Sequence, residues 1–82
     1  MDAFILVQTE PGKAAHIAEQ LRSVEGVTEA VLVSGPYDVI ARARVLDLEH
    51  LDALVSGHLR AMEGLLRVLP STVVSTQLSE RT

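Results

Sequence analysis

The stretch VLVSGPYDVIARARV, residues 31–45, sets Gly35, Pro36, Tyr37 and Asp38 between two strongly apolar runs. The only tyrosine of the chain sits there beside a carboxylate. Gly35 can take the positive φ of a tight connection, and Pro36 stiffens it. The N–H groups of Gly35, Tyr37 and Asp38 can form a small concavity for an anion, to which Pro36 has no N–H to add. The carboxylate of Asp38 suits an ammonium group. One turn thus offers both halves of an amino-acid zwitterion. The same residues also admit a plainer reading, in which Asp38 accepts turn N–H bonds and Tyr37 packs at an interface.

The other candidates for chemistry are His16, His50 and His58. His50 and His58 are eight residues apart on one expected helix, just over two turns, whereas a shared metal needs them about four apart. His50 falls in the first turn of that helix beside Asp47 and reads as a solvated or capping residue. His16 lies opposite the apolar stripe of its own helix. No metal site, cofactor or catalytic group emerges, and no enzyme is expected, although small dimeric domains of the fold read below include enzymes.

The elements that position the turn follow from periodicity. Residues 3–9 (AFILVQT) are apolar and β-prone. Thr9 is the expected cap of a first helix, with Pro11 in its first turn. Ala14, Ile17, Ala18, Leu21 and Val24 form its stripe, and Gly26 stops it. Strands are expected at Val27–Ser34 and Tyr37–Leu46. Asp47 caps a second helix with the stripe Leu48, Leu51, Val55, Leu59 and Met62, Gly64 stops it, and a last strand runs from about Leu66 to Leu78. LRSVEGVTEAV (21–31) and LRAMEGLLRVL (59–69) share Leu, Arg, Glu and Gly at an offset of 38 residues. That offset lays Thr9 on Asp47 and Ile17 on Val55, as a duplicated β-α-β unit would. Two such units give an α+β, ferredoxin-like βαββαβ fold, a four-stranded antiparallel sheet with both helices on one face.

The 82 residues fit a single domain whose core alone is marginal, and the chain has no cysteine to brace it. A hydrophobic content of 48% argues against disorder. The net charge of −4 and the scattered basic residues argue against direct nucleic-acid binding. Residues 1–10 lack the features of a signal peptide, and no run approaches a membrane span, so a cytoplasmic protein without membrane contact is expected. The strands are apolar on both faces: Ala3, Ile5 and Val7 alternate with Phe4 and Leu6, and Val31 and Val33 with Ala30 and Leu32. One layer of helices covers one face only, so the other calls for a partner, most simply a second copy.

Taken together, TEPGK, VEGV, VSGPYDVIARARV, a helix opening at Asp47 and MEGLLRVLPSTVV resemble the effector-binding domain of the Lrp/AsnC regulators, also called the RAM domain. The resemblance spans Ala3 to about Thr76, and its most specific piece is the G-x-Y-D turn. It implies a transcription-regulatory module without catalytic activity: a homodimer joined through its sheets, assembled further into a ring of dimers. It also implies that an amino acid or similar small zwitterion sits between dimers near Gly35, Pro36, Tyr37 and Asp38. With no helix-turn-helix domain ahead of the first strand, residues 1–82 look like a stand-alone member. Such a chain can sense an effector itself, or join a full-length Lrp/AsnC regulator as an assembly partner. Many members carry R-T-x-T early in the last strand, facing the effector. Here Val68 and Pro70 stand at the threonine positions, which implies a less polar pocket and a different ligand or none.

Overall fold

The computed structural model describes residues 1–74. It contains β1 (Asp2–Thr9), α1 (Ala14–Arg22), β2 (Val27–Leu32), β3 (Val39–Arg44), α2 (Leu48–Leu54), a π-helical turn (Val55–Leu59) and β4 (Leu65–Thr72). The strands form one antiparallel sheet in the order β2-β3-β1-β4. This is the expected ferredoxin-like βαββαβ arrangement, with the strand order that two interleaved β-α-β units produce.

Alternation in β1 decides which face the helices cover. Ala3, Ile5 and Val7 are fully buried, and their cross-strand partners Ala43, Ala41 and Val39 are buried with them. Ile17, Ala18 and Leu21 of α1 close over this face, as do Leu51, Leu54, Val55 and Leu59 of the second helical segment. Small alanines in the sheet let the helices approach closely, while the branched side chains fill the space between. The opposite face carries Phe4, Leu6, Val31, Ile40 and Leu69, and no element among the described residues covers it.

The duplication shows in the backbone. Gly26 and Gly64, 38 residues apart in sequence, both have positive φ, +99° and +92°. The carbonyl of Gly26 accepts from the N–H of Arg44 at the end of β3, and that of Gly64 accepts from the N–H of Glu10 just after β1. Neither glycine stops its helix as expected: α1 ends at Arg22 and the π turn at Leu59, and each glycine instead turns the chain into the next strand, β2 or β4, tied there to a strand end of the other unit.

Several local expectations are corrected. Thr9 caps no helix; it is the buried last residue of β1, and α1 begins after Lys13 without a side-chain cap. A turn with Gly12 at φ +82° separates the two, so Pro11 and Gly12 act as turn residues. Asp47 does cap α2, accepting from the His50 N–H at 2.8 Å. Leu48 is 58% exposed and takes no part in the core stripe. β2 ends at Leu32, β3 spans Val39–Arg44, and β4 ends at Thr72; residues 75–78 of the expected last strand lie outside the described residues. β4 is an edge strand, as Pro70 suggested. Val73 donates to the Asp2 carbonyl, so by ladder alternation Pro70 occupies a non-hydrogen-bonded position opposite Ile5. Its ring nitrogen faces the free edge, and no bond to β1 is lost.

Candidate functional site

The Gly35–Asp38 turn joins β2 to β3 and lies against the end of β1. Val33 N–H donates to the Asp38 carbonyl at 3.0 Å, closing the hairpin, and Asp38 N–H donates to the Val7 carbonyl at 2.9 Å. The pairing of β1 with β4 shifts register between Gln8 and Thr9. At this irregularity the N–H of Thr9 donates to Asp38 Oδ2 at 2.8 Å. Gln8 reaches over the turn from the same strand and donates from Nε2 to the Pro36 carbonyl at 2.8 Å. Gly35 has φ +145° with open space where a Cβ would stand, so it is required for its backbone angle and not for lack of room.

Two of the sequence readings sharpen here. The concavity offers two free N–H groups, not three, because that of Asp38 is committed to Val7; those of Gly35 and Tyr37 make no hydrogen bond among the described residues. The Asp38 carboxylate uses one oxygen on Thr9, which leaves Oδ1 without a partner among the described residues. Tyr37 and Asp38 are both half-buried.

Val68 and Pro70 do not join the turn on an open surface. Val68 stands opposite Val7, 4% exposed, on the helix-covered face, and Pro70 stands opposite Ile5 on the same side. The β4 residues that share the helix-free face are Leu69, opposite Leu6, and Ser71, opposite Phe4.

That face carries an apolar patch that runs up to the turn. Phe4 is 38% and Val31 42% exposed, with Leu6, Ile40 and Leu69 half-buried between them. The Arg42 guanidinium lies over the Phe4 ring, 5.4 Å from its centroid. Asp2 pairs with Arg42 at 3.8 Å and with Arg44 at 3.2 Å, forming a charged border at the end remote from the turn. The patch is apolar at its centre and polar at its rim, as protein interfaces are.

The histidines stand elsewhere. His16 is exposed on α1. His50 Nδ1 accepts from the Leu46 N–H at 2.9 Å, so the imidazole serves the corner that leads into α2. His50 and His58 both line a cavity of about 490 Å³ with Gly26, Leu46, Ala53 and Leu54, at the end of the β2–β3 hairpin opposite the turn. One α turn and one wider π turn take up about eight residues, which returns His58 to the face of His50. Sequence spacing for a regular helix does not reveal this alignment; Gly57 inside the π turn is its only hint. Among the described residues no group of His, Asp and Glu has the arrangement of a metal site. No helix among them is long and apolar enough to cross a membrane.

Comparison with known proteins bears on this geometry. Residues 2–82 match the model of the Lrp/AsnC ligand binding domain. The HTH-type transcriptional regulator FL11 of Pyrococcus abyssi is 33% identical over 66 residues, 78% of this chain and 44% of its own. The chain thus spans less than half the length of the curated relatives it matches. The crystal structure of TTHA0845 from Thermus thermophilus superposes with a TM-score of 0.86 at 28% identity, covering 92% of this chain and 94% of that one. The complex of transcriptional regulator NMB0573 from Neisseria meningitidis with L-Met shares the fold, with a TM-score of 0.81 at 22% identity over 92% of this chain and 50% of that one. The relatives are transcriptional regulators and not enzymes. The chain belongs to the Lrp/AsnC ligand-binding domain family.

Proposed function

We propose that this domain is an amino-acid-sensing and assembly module that forms homodimers through its helix-free sheet face and binds a small zwitterion at the Gly35–Asp38 turn, between dimers. The carrying observation is that face: Phe4, Leu6, Val31, Ile40 and Leu69 form an apolar surface beside the turn that one layer of helices leaves bare. Covering it with a second copy removes this surface from water at about 25 cal/mol per Å² of apolar area, before association costs. The free N–H groups of Gly35 and Tyr37 suit a carboxylate, and Asp38 Oδ1 suits an ammonium group. The L-Met complex of the Neisseria regulator supports an amino acid as the class of ligand.

A second reading has its own observation. Val68 faces the core and Asp38 is partly spent on Thr9, so the turn can also be kept for geometry alone. The domain would then act by joining a full-length regulator and changing its assembly. Calorimetric titration of a panel of amino acids, with light scattering before and after ligand, separates the two. Saturable binding with a change in assembly supports the sensor. No heat at millimolar concentration, together with co-assembly with a full-length regulator, supports the assembly partner.

A further inference from the structure

We propose that Arg22 is a latch that closes the β2 edge of the sheet against strand addition by a second copy, leaving the helix-free face as the surface through which copies meet. An open sheet has two edges, and each presents unpaired backbone groups that template pairing with another chain. Here the edges are β2 and β4. The β4 edge is blunted by Pro70, whose donorless nitrogen faces outward.

The β2 edge has no proline and carries Val31 and Leu32, 42% and 54% exposed. Val33 N–H bonds to the Asp38 carbonyl, so by ladder alternation the N–H and C=O of Ala30 and Leu32 point off the sheet. Glu29 is the one charge on this β-branched strand, so the apolar half from Ala30 to Leu32 is the part left open to another strand. Arg22, at the C-terminal end of α1, donates from both Nε and Nη2 to the Ala30 carbonyl, at 3.1 and 2.8 Å. The planar fork occupies the acceptor at the centre of the exposed edge and sets a bulky cation where an incoming strand would lie. Helix one thereby reaches around its own sheet to cover it. The latch is a property of the edge and does not depend on the sheet-face dimer.

The test is the mass of the whole chain by light scattering, as a function of concentration, for wild type, Arg22→Ala, Arg22→Lys and the double variant Arg22→Ala with Leu32→Lys. The latch predicts that Arg22→Ala grows to species several-fold heavier than wild type as concentration rises. Arg22→Lys, which keeps a cation at the edge but not the two-donor fork, should grow less than Arg22→Ala. Leu32→Lys should return the double variant to that mass, because an edge lysine opposes strand pairing. Rescue separates edge pairing from aggregation through lost stability, which an added surface lysine does not cure. If Arg22→Ala keeps the wild-type mass at all concentrations, or if the double variant aggregates as the single one does, the latch is overturned. A monomeric wild type would contradict the dimer and leave this comparison intact.

Discussion

The structure gives Asp38 one job, accepting from Thr9, the proposed function gives it a second, and paired substitutions distinguish them. Asp38→Ala removes the acceptor of the Thr9 N–H, a bond of 2.8 Å. Thr9 is 8% exposed, so water replaces that acceptor poorly. A buried donor left unsatisfied costs about 1–3 kcal/mol. A domain of this size melts about 4–8 °C lower per kcal/mol, so the melting temperature should fall by roughly 4–24 °C. Asp38→Asn keeps an oxygen for Thr9 and removes only the charge, so it should melt within a few degrees of wild type. Ligand affinity should respond differently. If Oδ1 accepts from the ammonium of a zwitterion, losing the charge-assisted bond costs about 1.5–3 kcal/mol, about ten- to hundredfold in Kd, in both variants. Thermal melts by circular dichroism and calorimetric titrations on the same preparations read both quantities. Equal melting of the alanine and asparagine variants would refute the structural role assigned to the Thr9 bond. Unchanged affinity in Asp38→Asn would refute the carboxylate as the ammonium acceptor.

Other substitutions probe the frame around the site. Ile5→Glu places a carboxylate where the side chain is fully buried among apolar groups; the cost of several kcal/mol is comparable to the whole stability of a small domain, and circular dichroism should show an unfolded chain. Gly26→Ala puts a Cβ 3.3 Å from the Arg44 carbonyl at φ +99°, so denaturant titration should show a loss of about 1–2 kcal/mol, and an unchanged midpoint would contradict the strain argument. With its net charge of −4, the purified chain should give no salt-sensitive mobility shift with DNA.

Most of the fold is legible in the sequence because its signals are local. Gly26 and Gly64 mark the turns that lead into β2 and β4 through a backbone angle that other residues rarely adopt, and the repeat around them reveals two units; the helices themselves end earlier, at Arg22 and Leu59. The Thr9 cap fails because TEPGK carries both a helix-start pattern and a Pro-Gly turn, and burial of Thr9 in β1 decides for the turn. Sequence cannot choose between Ile5 and Leu6 as the covered face, since both alternations are apolar. Packing of Ile17 and Leu21 onto the Ile5 side makes the choice. The inward orientation of Val68 depends on strand register, which the irregularity at Gln8 and Thr9 sets through long-range pairing. Within the turn, the type and order of residues expose its chemistry, but the bonds of Asp38 to Val7 and Thr9 join residues about thirty positions apart, beyond the reach of local pattern.

The central claim is that the helix-free face meets a copy of itself, and light scattering on wild type beside Leu6→Glu tests it most directly. Leu6 lies in the middle of that face, opposite Ile40 and Leu69, and outside the core beneath the helices. Wild type should show twice the mass of the chain or a higher even multiple at micromolar concentration, and Leu6→Glu should fall to the monomer or unfold at that concentration. A stable wild-type monomer, or a folded Leu6→Glu that keeps the wild-type mass, would contradict the account.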